Sequence, residues 1–169
     1  MNVADSQRLA SAFEQLGYTA SEAIENADVI ILNTCMVRQS AEDKALGRLS
    51  SLKPLKIERP DLIIGLMGCM VGTKDQSVIR KKLPYEDVFA PPSDPKPIID
   101  YLLEKELQEH DQNENPFVRQ FTWESGELLL PESERRNPVS AYIPIVYGCS
   151  HACAYCIIPA ARGPVRSKP

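Results

Sequence analysis

The sequence predicts an α/β fold, a parallel sheet with helices on both faces, and three observations carry that expectation. Short apolar runs rich in branched side chains, Ala27 to Asn33 and Leu62 to Gly68, alternate with segments whose apolar residues recur at helical spacing. Each run leads into a cysteine, Cys35 and Cys69, and ligands of a parallel sheet gather at the carboxyl ends of its strands. Near the end of the chain a further apolar run, Tyr142 to Tyr147, reads as a buried strand that delivers Cys149, Cys153 and Cys156 onto a loop opened by Gly148.

In chain order, Asp5 is placed to cap a helix whose face is Leu9, Ala12, Phe13 and Leu16, with Gly17 as its stop. The run Ala27 to Asn33 reads as a strand buried on both faces. A second helix starts at Ser40, shows Ala41, Ala45, Leu46, Leu49 and Leu52 on one side, and is expected to stop before Pro54. Leu62 to Gly68 is the second strand, and Thr73 to Leu83 a helix with Arg80, Lys81 and Lys82 in its last turn. Asp87 to Ala90 makes a brief third strand, followed after a proline-rich turn by a helix from Ile98 to about Gln108. The acidic stretch beyond, with strand-like pieces at Phe117 to Trp123 and Glu127 to Leu130, reads as a linker in which His110 and Trp123 are ordinary packed or solvated residues.

Composition narrows the class. With 43% hydrophobic and 25% charged residues the chain is that of an ordinary globular protein, and no apolar run approaches a membrane span, so no membrane contact and a cytoplasmic location are expected. Five cysteines, three of them clustered, argue against a disulfide framework and for metal chemistry in a reducing compartment. The net charge of −4 is unevenly spread: from Ala141 onward Arg162, Arg166 and Lys168 meet no Asp or Glu, so a nucleic-acid partner would face that tail or regions beyond it.

Three thiolates spaced four and then three residues apart can hold three irons of a four-iron cluster and leave the fourth open to chemistry. A structural zinc site normally closes with a fourth protein ligand. His151 is the only nearby candidate for that, and it would have to share the loop's turn with Cys149 and Cys153. A non-catalytic iron–sulfur or zinc module is therefore the alternative from another class. Arg162 stands between two readings, a partner to a carboxylate or phosphate and a solvated loop arginine.

The spacing of Cys149, Cys153 and Cys156, with Tyr155 before the last, resembles the cluster loop of radical S-adenosylmethionine enzymes. Together with Met1-Asn2-Val3-Ala4-Asp5-Ser6, Asn33-Thr34-Cys35-Met36-Val37-Arg38 and Gly68-Cys69-Met70, it resembles the methylthiotransferases across the whole chain. The resemblance implies a flavodoxin-like domain over residues 1–108, a linker over 109–139, and the start of a radical S-adenosylmethionine partial TIM-type barrel over 140–169. It further implies two 4Fe-4S clusters, one on Cys149, Cys153 and Cys156 and an auxiliary one to which Cys35 and Cys69 contribute. S-adenosylmethionine is the implied cosubstrate, with Tyr155 bordering its adenine, and no side chain is singled out as a catalytic acid or base.

The motif Asn33-Thr34-Cys35-Met36-Val37-Arg38 is closest to the branch that methylthiolates carbon 2 of prenylated adenosine beside the tRNA anticodon. Arg162-Gly163 and Ser167 agree with that branch, whereas Ala160 and Val165 depart from it. The other branch acts on an aspartate of a ribosomal protein. Implied partners are tRNA, held mostly by regions outside this sequence, and an electron donor such as flavodoxin or ferredoxin; a monomer is expected. The family's first auxiliary cysteine lies upstream of its Met-Asn, so the sequence is expected to be a piece truncated at both ends, inactive alone. The strand preceding that cysteine would lie between the runs Val29 to Asn33 and Leu62 to Gly68, which should then either face a gap or pair directly.

Overall fold

The computed structural model describes residues 2–35, 39–73, 76–109 and 145–167. Their order is α1 (Asn2–Gln15), a 3-10 turn (Ile24–Asn26), β1 (Val29–Thr34), α2 (Gln39–Glu58), β2 (Ile63–Gly68), α3 (Cys69–Thr73), α4 (Gln76–Lys82), β3 (Val88–Ala90), α5 (Lys96–Glu109), β4 (Val146–Tyr147), α6 (Ile158–Arg162) and β5 (Arg166–Ser167). β1, β2 and β3 form a parallel sheet in that order, and β4 and β5 a separate antiparallel pair.

The period-two alternation of the strands sorts their side chains onto two helical layers. Ile30 and Leu32 of β1, Ile64 and Leu66 of β2 and Phe89 of β3 point to one face, where they meet Leu49 and Leu52 of α2, Met70 and Val71 of α3 and Ile79 of α4. Val29, Ile31, Ile63, Met67, Val88 and Ala90 point to the other and meet Leu9 of α1 with Ile98 and Leu102 of α5. The α/β architecture with helices on both faces is thus as the sequence predicts. Gly65 leaves the room that Ile31 and Val88 fill: a Cβ there would lie 2.5 Å from Ile31 Cδ1 and 2.9 Å from Val88 Cγ1.

α1 ends as Gly17 predicts. Gly17 takes φ +90° and donates its amide to Glu14 O at 3.0 Å, Tyr18 donates to Phe13 O at 2.9 Å, and the Phe13 and Tyr18 rings meet at 5.6 Å between centroids. This pair of bonds with its apolar contact is the Schellman stop. Asp5, expected as the N-terminal cap, lies inside the first turn instead.

Other expectations need correction. α2 runs through Pro54 to Glu58, because Leu49, Leu52 and Leu55 pack on the same layer on both sides of a proline that is itself exposed. Of the helix expected over Thr73 to Leu83, the described part is α4 from Gln76 to Lys82, and Thr73 belongs to the end of α3, which opens earlier, at Cys69. β1 is half-buried rather than buried on both faces, since among the described residues it has a strand on one side only, β2, and a cleft of about 810 Å³ lies between its start and α1. Of the two arrangements expected for Val29 to Asn33 and Leu62 to Gly68, the structure has direct pairing, over six register partners from Val29↔Ile63 to Thr34↔Gly68.

Of the run Tyr142 to Tyr147, expected as a buried strand, the described residues are 145–147: Val146 and Tyr147 are extended, but Ile145 and Val146 are exposed, and α6 follows where only turns were expected. His110, Trp123 and the strand-like pieces of the linker lie outside the described residues. Among the described residues no helix is long and apolar enough to cross a membrane.

Candidate metal centre

The first half of the site is the carboxyl end of the sheet. Thr34 is buried at the end of β1, and its Oγ1 donates to Met67 O at 2.9 Å, locking the ends of β1 and β2 together. Gly68, with φ +108°, turns the chain sharply into α3; a Cβ there would stand 2.3 Å from Thr34 O. Cys35 and Cys69 directly follow the register partners Thr34 and Gly68, so the topology sets them at neighbouring strand ends as the sequence predicts. Cys69 is 1% exposed at the head of α3, where its carbonyl accepts from Thr73 Oγ1 at 2.9 Å, and Cys35 is half-buried. Asn33 Nδ2 donates to Ser6 Oγ at 2.9 Å, which ties the end of β1 to α1.

The second half is the loop between β4 and β5, whose partners are Val146↔Ser167 and Tyr147↔Arg166. Gly148 opens it at φ +74°, where any Cβ would collide with the carbonyl of Pro164 at 2.1 Å. Cys149 donates its amide to Gly163 O at 3.1 Å, Ser150 Oγ accepts from the Val165 amide at 3.1 Å, and the Cys156 amide closes a turn onto Cys153 O at 3.1 Å. Cys149 and Cys156 are half-buried, Cys153 and His151 exposed, and Tyr155 is 93% exposed, which removes packing as the reason for an aromatic at that position.

All five cysteines are free thiols. No three His, Cys, Asp or Glu side chains converge into a metal-binding group among the described residues, neither at the sheet end nor on the loop. The donor chemistry nevertheless fits an iron–sulfur cluster: three sulfur ligands on one solvent-reachable turn suit iron–sulfur chemistry better than the oxygen-rich sets that magnesium or calcium takes.

Sequence reasoning missed what joins the halves. Arg162, at the end of α6, is buried, and its Nη2 donates to Asp5 Oδ2 of α1 at 2.7 Å while Nη1 donates to Ser93 Oγ. Of its two readings the carboxylate partner holds. Arg8 Nη1 donates to Ser93 O at 3.3 Å, and its guanidinium lies 5.7 Å from the centre of the Tyr147 ring. α3 and α6 touch backbone to backbone: a Cβ on Gly72 would stand 2.4 Å from Ala161 O. Nothing local marks a pair separated by 157 positions; the hint available was an acidic residue one position from Ala4 and three before Arg8 on the face of α1.

Residues 1–90 match the family described as Uncharacterized protein family UPF0004. A tRNA-2-methylthio-N(6)-dimethylallyladenosine synthase from Herpetosiphon aurantiacus is 43% identical over 100% of this chain and 35% of its own length. Proteins of the same name from Roseiflexus sp. and Desulforamulus reducens are 40% and 36% identical over 32% and 36% of their own lengths. The chain thus spans about a third of the length of these relatives.

Proposed function

We propose, from the premise that this chain belongs to the UPF0004 family, that it serves in a methylthiotransferase acting on carbon 2 of prenylated adenosine beside the anticodon of tRNA. The observation that carries the reading is the 43% identity running over the entire chain, cysteine loop included, to a synthase of that modified nucleoside. In this reading residues 1–108 form the sheet domain and residues 140–169 begin the radical S-adenosylmethionine unit, with 109–139 joining them.

Cys149, Cys153 and Cys156, as thiolates, would hold one 4Fe-4S cluster, and Cys35 and Cys69 would contribute to a second. Bound there, the clusters and S-adenosylmethionine supply radical chemistry able to replace hydrogen on an unreactive ring carbon. The chain's own part is placement. Gly148 lets the backbone reverse so that the thiols leave a short base formed by β4 and β5, and Gly68 does the same at the sheet end. The exposed ring of Tyr155 offers a face on which an adenine can stack. No residue is assigned as a general acid or base. An electron donor of the flavodoxin or ferredoxin kind and a cytoplasmic location complete the reading.

A strain lacking the protein tests it. Mass spectrometry of digested tRNA should show the prenylated adenosine without its methylthio group. Normal tRNA together with an unmodified ribosomal-protein aspartate would transfer the assignment to the other branch of the methylthiotransferases.

A further inference from the structure

Asp5 and Arg8 are three residues apart on α1 and so share one face of that helix, and each grips a different end of the cysteine loop. Arg8 lies over the ring of Tyr147, two residues before Cys149. Asp5 receives Nη2 of Arg162, six residues after Cys156, with both side chains 4% exposed. Ser93, in the turn before α5, is shared: its carbonyl accepts from Arg8 and its hydroxyl from Arg162. Ser93 is held there at φ +64°, an uncommon conformation for a residue other than glycine. A few residues away, Gly72 allows α3, the helix that Cys69 opens, to rest on the backbone of α6 at Ala161.

We infer that Asp5, Arg8, Ser93 and Arg162 form a positioning clasp that fixes the three-cysteine loop against the carboxyl end of the sheet, and with it the separation between the loop thiols and Cys35 and Cys69. A buried ion pair is a poor source of net stability, because desolvation consumes most of the attraction, but it tolerates little displacement once formed. The planar guanidinium can meet a carboxylate and a hydroxyl in a fixed geometry, which a lysine ammonium does not reproduce. Three hydrogen bonds and one cation–π contact from one helix face and one turn therefore set register and distance, where an apolar contact would allow sliding. The clasp stands on the geometry alone; its purpose rests on the reading of the cysteines as cluster ligands.

Amide hydrogen exchange on the protein without metal tests the clasp. In Arg162→Met and in Asp5→Asn, exchange at Cys149, Ala161 and Gly163, whose amides close the loop and α6, should accelerate about tenfold or more while the β1–β2 ladder keeps its rates. The double variant should add little to either single one. Unchanged loop amides, or equal acceleration in loop and ladder, would overturn the proposal. If the buried variants fail to fold, Ser93→Ala removes a single acceptor and should accelerate the same amides to a smaller degree; no effect there also overturns it.

In the whole protein loaded anaerobically with iron and sulfide, the reduced paramagnetic signal of the loop cluster should saturate at lower microwave power in Arg162→Met, because the second cluster no longer relaxes it from a fixed distance. Arg162→Lys should restore part of the difference. Identical saturation in all three proteins counts against the positioning role, whereas a parent protein that takes up no iron counts against the cluster reading and leaves the exchange result to decide the clasp.

Discussion

Thr34 and Gly68 face each other as the last register partners of β1 and β2, and the residue after each is a cysteine. The backbone at Gly68, not the side chains, makes this possible. It combines a positive φ with a space in which a Cβ would be 2.3 Å from Thr34 O and 2.9 Å from Thr34 N. Gly68→Ala should cost about 2–4 kcal/mol, strain and overlap together. Gly17 supplies the comparison: it too has positive φ, but its Cβ would meet nothing within 4 Å, so Gly17→Ala should cost only about 1 kcal/mol. Urea melts of both variants check this, and equal costs would show that Thr34 does not confine Gly68.

Lys56 and Asp87 should matter more than an ordinary surface pair. Lys56 Nζ lies 2.9 Å from both carboxylate oxygens and also donates to the carbonyls of Pro60 and Leu62, while Asp87 Oδ2 accepts the Ile64 amide at 2.8 Å. The side chains are 16% and 21% exposed, so Lys56→Met leaves a largely buried carboxylate and the carbonyls of Pro60 and Leu62 short of a donor. Its expected cost is about 1–3 kcal/mol by chemical denaturation. The solvated pair Lys96–Asp100, at 2.7 Å, is screened by water on both sides, so Lys96→Met should leave the denaturation midpoint close to that of the parent when measured in the same way.

Stability should fall as pH rises above the ordinary carboxylate range, through Glu86. Burial pushes its carboxyl above the ordinary range, backbone hydrogen bonds at Glu86 and Tyr85 oppose the rise, and the charge of Asp87 adds to it. The folded state therefore holds this proton to higher pH than the unfolded chain does. Stability is lost as pH rises from the ordinary carboxylate value through the raised one. Glu86→Gln removes the charge and should raise Tm at pH 7 by about 2–4 °C, the equivalent of about 1 kcal/mol. The advantage should shrink as pH drops below the ordinary carboxylate range; an advantage independent of pH would exclude ionisation as its cause.

The legible parts of this sequence were those written in local periodicity. Branched apolar runs mark β1 and β2, Gly17 marks the stop of α1, and the runs end beside Cys35 and Cys69, which the sheet sets at neighbouring strand ends. Pro54 misled because a proline ends a helix only when packing does not hold both sides, and Leu49, Leu52 and Leu55 hold them. β1 was read as doubly buried from composition, which reports side-chain type but not how many strands flank a run. The Asp5–Arg162 pair was invisible because its partners meet through the tertiary fold alone. On the loop, cysteine spacing carries the expectation of sulfur ligation, while the grip of α1 on both of its ends has no sequence signature.

Iron content tests the central claim most directly. The parent protein and its Cys149→Ala, Cys153→Ala and Cys156→Ala variants should be reconstituted anaerobically with iron and sulfide and assayed for bound iron, with Mössbauer spectra to identify the cluster. The account predicts that the parent carries a 4Fe-4S cluster on the loop and that each single substitution removes about four irons per chain, leaving any iron held at Cys35 and Cys69 in place. Undiminished iron in any one of the three variants, or a colourless parent that binds zinc instead, would contradict it.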